Sequence, residues 1–241
     1  MRLALQAAAL AVGLPLQVLI VAALLRGAWR RFPLVMAFSV VELVTSVVQA
    51  PSALESMRGI HAGGVPYWVT YWIGEAITQV LLYTVVISLL YVAAGRLRSA
   101  PAVRLGLILA AFLVAGVTLL AHYDPSVLYG EWLSPWFRDL NFACALMDIV
   151  LWTSLVAMRD RDRQLLMLSG GLGVQFAGTA VGESLRQMAI HSRSHPLALT
   201  GSVIIVASNL FRFYAWWQAL RQRQESQQVT LGAIRQRGGS V

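Results

Sequence analysis

The chain has 241 residues, 58% of them hydrophobic and 12% charged, with a formal net charge of +8. So apolar a composition leaves no soluble domain of ordinary size, and a water-soluble globule is excluded. In a soluble chain the positive charge would suggest nucleic acid. Here it is divided among short connections that face lipid headgroups, so no nucleic-acid partner is expected.

Roughly 20 apolar residues cross a hydrocarbon core of about 30 Å. Seven stretches meet that length, at about 3–25, 33–51, 67–94, 103–122, 137–158, 164–187 and 197–219. The expected fold is an all-α integral membrane protein: a bundle of seven transmembrane helices in one domain over 1–220, followed by a polar cytoplasmic tail over 221–241. Arg26, Arg30 and Arg31, then Arg96, Arg98 and Arg104, then Arg159, Arg161 and Arg163, and finally Arg221, Arg223, Arg235 and Arg237 recur at alternate connections and in the tail. The opposite connections hold only Arg58 and Arg193, with Arg2 at the start. The positive-inside rule therefore places the N-terminus outside and the C-terminus in the cytoplasm, and the expected location is a bacterial inner (cytoplasmic) membrane.

The first span is longer than a signal-peptide core and its stronger positive cluster follows it, so it is expected to stay. In the second, Ser39, Glu42, Thr45, Ser46 and Gln49 recur at three- and four-residue spacing and form one polar stripe. The third repeats the device with Trp68, Trp72, Glu75, Gln79 and Tyr83. The fourth is apolar between Arg104 and His122 apart from Thr118, which predicts a lipid-facing or linking helix rather than a wall of a site. The fifth carries Asn141 and Asp148 on one face with Trp152, the sole cysteine, Cys144, and an interfacial Arg138–Asp139 pair at its outer end.

In the sixth, Gly178 and Gly182 have the small-xxx-small spacing that lets helices approach closely, read as packing within the bundle rather than dimerisation. Gln175 lies near its middle, and Glu183 with Arg186 reads as an interfacial i, i+3 pair. The seventh holds Asn209 and Arg212 and closes on Trp216 and Trp217, which with Trp132, Trp136 and the tyrosines and tryptophans at 67–72 read as an interfacial aromatic belt. Arg212 lies only about 8 Å from the cytoplasmic edge at 1.5 Å per residue. Its guanidinium is expected to snorkel outward past Trp216, ahead of a counter-ion role.

By the same rise per residue, Glu42, Glu75 and Asp148 lie roughly 12–16 Å deep, and Gln175 and Asn209 fall at a similar height. Ionisable groups at that depth face the bundle interior or water. With Arg212 the only basic group nearby, the three acids cannot all stay ionised, so some are expected to be protonated or to hold a cation; Glu75, behind Trp68, Tyr71 and Trp72, is the first choice. The same acids can instead act as neutral hydrogen-bonding glue between helices. Candidate ligand- or ion-binding residues are thus Glu42, Glu75, Asp148, Gln79, Gln175, Asn209, Arg212, Trp68 and Trp72, with no catalytic residue and no metal ligand set.

The absence of lysine excludes a retinal Schiff base. A haem lacks histidines inside the bundle, since His61, His122, His191 and His195 all fall toward the outer side. His191 and His195 have metal-ligand spacing, but the connection before Pro196 does not assure helical geometry. No cofactor is expected and no enzymatic motif is present. If the fourth helix is a linker, spans one to three and five to seven share an orientation, the 3+1+3 layout of parallel-repeat carriers, with Glu42-Leu-Val-Thr set beside Gln175-Phe-Ala-Gly. The expected function is a small secondary transporter or proton- or cation-linked carrier. The alternatives are a seven-helix receptor signalling through a partner protein and a non-catalytic subunit of a membrane complex. Expected partners are membrane lipids, a small molecule or cation, and a protein partner or second copy of the chain.

Overall fold

The computed structural model describes the backbone of residues 2–57, 67–94, 100–124, 129–157 and 163–238, and side chains over 8–50, 72–94, 101–124, 132–133, 135–156, 163–189 and 192–221. Among these the regular structure is entirely helical: α1 (Arg2–Leu25), a 3-10 turn (Ala28–Arg30), α2 (Pro33–Met57), α3 (Tyr67–Ala94), α4 (Ala100–His122), α5 (Tyr129–Ala157), α6 (Arg163–Ser192) and α7 (His195–Gly238). All seven α-helices are long and apolar enough to cross a membrane. A backbone in hydrocarbon must satisfy its own polar groups, and a helix does so within one segment. Pro15 and Pro135 are accommodated inside α1 and α5.

Three helices run well beyond their hydropathy spans. α2 continues past 51 to Met57, α5 begins eight residues before 137, and α7 passes 220 and continues to Gly238. Hydropathy reports the lipid-matched window, whereas helical hydrogen bonding persists through polar residues that water can solvate.

Between α6 and α7 the chain reverses over Arg193 and Ser194. Arg193 adopts φ 51°, and the Ser194 N–H donates to the Ala189 carbonyl at 3.1 Å, a left-handed closure of the helix end. Pro196 then sits in the first turn of α7, where its missing N–H has no partner to lose. His191 and His195 therefore lie on different helices, which removes the helical metal-ligand geometry. The His191 side chain, like all of His61, lies outside the described residues.

Six helices form a closed ring in which neighbours are α1·α2, α2·α3, α3·α5, α5·α6, α6·α7 and α7·α1. α4 stands outside, against α3 and α5 alone, and only 6% of its span is buried compared with 39% for α3 and for α6. Its polar ties are few: the Tyr83 hydroxyl of α3 donates to the Ala111 carbonyl at 2.8 Å, Arg104 donates to the Tyr91 carbonyl of α3 at 3.3 Å, and His122 meets Asp139 of α5 at 2.8 Å. The apolar sequence of α4 thus corresponds to a helix outside the ring, as its lack of a polar stripe implied.

α6 and α7 form the tightest seam. A methyl group on Gly178 would overlap Ser208, and one on Gly201 would meet the Gly182 carbonyl at 2.5 Å. Gly178 and Gly182 thus serve close packing inside the bundle.

Candidate functional site

Phase along α2 sends Phe38, Glu42, Ser46 and Gln49 toward the ring interior, while Val44, Val47 and Val48 face out. Glu42 accepts a hydrogen bond from Arg212 Nη2 on α7 across that interior. The Arg212 side chain is fully buried and that of Glu42 is 17% exposed. The guanidinium carbon lies 4.4 Å from the Phe213 ring centroid, 5.1 Å from Phe38 and 5.2 Å from Trp216, a stack of π faces that favours the cation. Nε and Nη1 of Arg212 have no hydrogen-bond partner among the described residues.

This geometry corrects two expectations. Arg212 does not snorkel; it is the counter-ion of Glu42. Trp216 is not in the interfacial belt but 1% exposed, edge-on to Phe38 at 5.8 Å and donating through Nε1 to the Leu168 carbonyl at 3.0 Å. The reason lies on α6: the missing side chain of Gly171 leaves room for the indole, since a Cβ there would lie 3.1 Å from Trp216.

On α3, Glu75 and Gln79 lie one turn apart on the interior face. Gln79 is buried and its Nε2 donates to Asn141 Oδ1 of α5 at 2.9 Å. Glu75 is partly buried and lies within electrostatic reach of Glu42 and Glu183. Glu183 makes the expected pair with Arg186 at 2.8 Å, yet it also belongs to the interior. Leu165, Leu168, Leu172, Phe176, Thr179 and Glu183 recur at helical spacing on one face of α6, and the first four are buried. That recurrence, at three- and four-residue spacing, is legible in the sequence.

The remaining candidates divide. Asp148 is 3% exposed but sits apart from Glu42 and Glu75, in the α5·α6 seam, where a Cβ on Gly173 would lie 2.7 Å from its Oδ2. Trp152, expected to share its face, is 48% exposed and points outward. Gln175 lies midway between Gly171, which faces Ala215 and Trp216, and Gly178, which faces Ser208, and so stands level with Arg212. Its Oε1 has no hydrogen-bond partner among the described residues. Asn209 is partly buried on α7, and Trp72 is partly buried with its ring 6.2 Å from Phe137 of α5. The Trp68 side chain lies outside the described residues. Gln17 on α1, which the sequence reading did not single out, donates to Ser46 Oγ at 3.2 Å one turn from Glu42.

Burial is uneven along the ring axis. At the end carrying the Arg26–Arg31 connection and the beginning of α6, the interior is plugged by Leu24, Phe38, Leu89, Leu155, Leu165 and Trp216 with their neighbours. Toward the other end, no described residue of α2 after Ser39 is buried and none of α3 before Gln79, so Ser46, Gln49, Glu75 and Glu183 remain partly accessible. The other helices keep some burial there, with Leu133, Phe137 and Leu140 near the start of α5, Gly182 and Ala189 toward the end of α6 and Gly201 near the start of α7. The Glu42–Arg212 pair lies where the plug ends.

The ring of neighbours, apart from an α3·α6 contact across it, maps onto itself when α1–α3 are exchanged with α5–α7. α1·α2 corresponds to α5·α6, α2·α3 to α6·α7, and α3·α5 to α7·α1. A shift of 133 residues lays Glu42 on Gln175, Gln79 on Arg212, Thr45 on Gly178 and Gly74 on Ala207. Each half has one close helix contact at that level: Gly74 against Thr45 in the first, Gly178 against Ser208 in the second, the glycine changing sides. The polar contacts Glu42–Arg212 and Gln79–Asn141 both run between halves. No protein-family model, curated protein sequence or solved structure matches the chain. No group of three or more His, Cys, Asp or Glu residues able to hold a metal ion occurs among the described residues.

Proposed function

We propose that the protein is a small secondary carrier, proton- or cation-linked, in which α1–α3 and α5–α7 are parallel repeats and the substrate or ion binds between them at the level of Glu42, Glu75 and Arg212. The observation that carries this reading is the placement of the polar layer on the seam between two equivalent three-helix halves, plugged at one end and accessible from the other. Carriers built from repeats bind at that seam and rock one half against the other. The arginine-rich connections support a cytoplasmic location for the plugged end, so the accessible end faces outward, in a bacterial inner membrane.

A receptor is the second reading, favoured by one feature: α7 carries Arg212 at its middle and continues unbroken to Gly238, a rigid lever past the membrane surface. The two readings differ in access. In a Cys144→Ala background, Ser46→Cys places a thiol beside Glu42, with Arg193→Cys and Arg30→Cys as markers of the two surfaces. An impermeant thiol reagent is expected to modify Arg193→Cys only in right-side-out vesicles and Arg30→Cys only in inverted ones, while Ser46→Cys reacts in both. Reaction of Ser46→Cys from the outer side alone would reject alternating access and leave the receptor reading; reversal of the two markers would reject the orientation.

A further inference from the structure

Among the described residues Asp148 is the one buried acid without an ionic partner. The residue is 3% exposed, its Oδ1 has no hydrogen-bond partner among the described residues, and its Oδ2 rests against the backbone of Gly173 across the α5·α6 seam. Arg212, the buried guanidinium of the ring, is engaged with Glu42. The groups that α5's neighbours present here are neutral or distant. On α5 itself Cys144 precedes Asp148 by one turn; α3 contributes Tyr83, whose hydroxyl is committed to Ala111, with Gln79 committed to Asn141 and Glu75 higher up; α6 contributes Gly173. α4 contributes His122, held by Asp139 at the far end of the seam, 2.8 Å between Nε2 and Oδ2. Ionising a carboxylate this deeply buried, with no cationic side chain described beside it, is costly.

We propose that Asp148 is a proton-binding site, occupied in this conformation, and that the ion linked to the carrier cycle is therefore H⁺. The linkage to transport rests on the carrier reading, whereas the proton site does not. In the step itself one carboxylate oxygen takes a proton from hydronium, forming an O–H bond and leaving water. Release reverses it when the α5·α6 seam admits water. Gly173 is what makes the site fit: a Cβ there would lie 2.7 Å from Oδ2, so only glycine admits the carboxyl into the seam. Glu75, where the interior stays accessible, is left free to meet substrate.

The test is infrared spectroscopy of the purified full chain with ¹³C-labelled aspartate. The chain has five aspartates. Asp139 is ion-paired and Asp124 exposed, so an aspartic C=O stretch of the protonated acid at neutral pH is expected from Asp148. With Oδ1 free of hydrogen bonds, it should lie at the high-frequency end of the carboxylic range. The band should vanish in Asp148→Asn and shift without vanishing in Gly173→Ala, which crowds Oδ2. A wild-type spectrum at neutral pH with no label-sensitive carboxylic band overturns the proposal, as does a band that survives Asp148→Asn. Should that variant not fold, the labelled wild type and Gly173→Ala decide. A band present without two-sided reaction at Ser46→Cys rejects the carrier and keeps the proton site; two-sided reaction without the band does the reverse.

Discussion

Replacing Glu42 by leucine removes the acceptor of a guanidinium that has no exposed surface. Arg212 would then hold all three nitrogens unpaired among the described residues, since Nε and Nη1 already lack partners there. Breaking a buried ion pair from one side costs about 3–5 kcal/mol. Phe38, Phe213 and Trp216 stay in place and retain a cation–π attraction of about 0.5–2 kcal/mol, and Glu42 is not wholly dry, so the lower end of that range, about 3 kcal/mol, is expected. Glu42→Gln keeps an acceptor and loses the charge, and should cost about half as much, the difference between a charge-assisted and a neutral hydrogen bond. The double variant Glu42→Leu/Arg212→Met replaces the pair by apolar volume and should return to within about 1 kcal/mol of wild type. The cycle then shows a coupling of about 2 kcal/mol or more between the two positions. Reversible unfolding in mixed micelles, followed by helical circular dichroism, measures the five proteins: wild type, Glu42→Leu, Glu42→Gln, Arg212→Met and the double variant. A loss below about 0.5 kcal/mol in Glu42→Leu, the size of an exposed pair, or a double variant no better than the single one, would refute the buried-pair reasoning.

Two further outcomes follow from the seams of the ring. Gly178→Ala places a methyl inside Ser208 and 3.7 Å from the Ile204 carbonyl, so α6 and α7 must separate and stability should fall by about 1–3 kcal/mol; adding Ser208→Gly should recover most of it in the same unfolding assay. If the halves are equivalent, an ion pair built at the related positions, Gln79→Arg with Gln175→Glu, should restore stability to Glu42→Gln/Arg212→Gln, and no recovery would show that the correspondence ends at helix arrangement.

Much of the fold is legible in composition alone. Seven apolar windows and alternating arginine clusters mark the helices, and the want of polar spacing on α4 marks a helix outside the ring. Both are properties read along one segment, because lipid rewards apolar length irrespective of partners. The polar stripes on α2 and α3 likewise pointed Glu42, Glu75 and Gln79 inward, since three- and four-residue spacing fixes a face.

Partnership was another matter. Glu42, Glu75 and Asp148 share a depth, yet the structure pairs Glu42 with Arg212, leaves Glu75 within electrostatic reach of Glu42 and Glu183, and sets Asp148 apart against Gly173. Depth along an axis does not say which side of a helix meets which neighbour. Arg212 and Trp216 look interfacial when counted from the end of the apolar run. They are core because Gly171 admits the indole and because α2, 170 residues away in the chain from Arg212, brings Glu42 to the guanidinium. Sequence determined which segments enter the membrane and which face of each is polar; only the register between helices, set by where glycine lets two backbones close, decided which charges meet and which one is left alone.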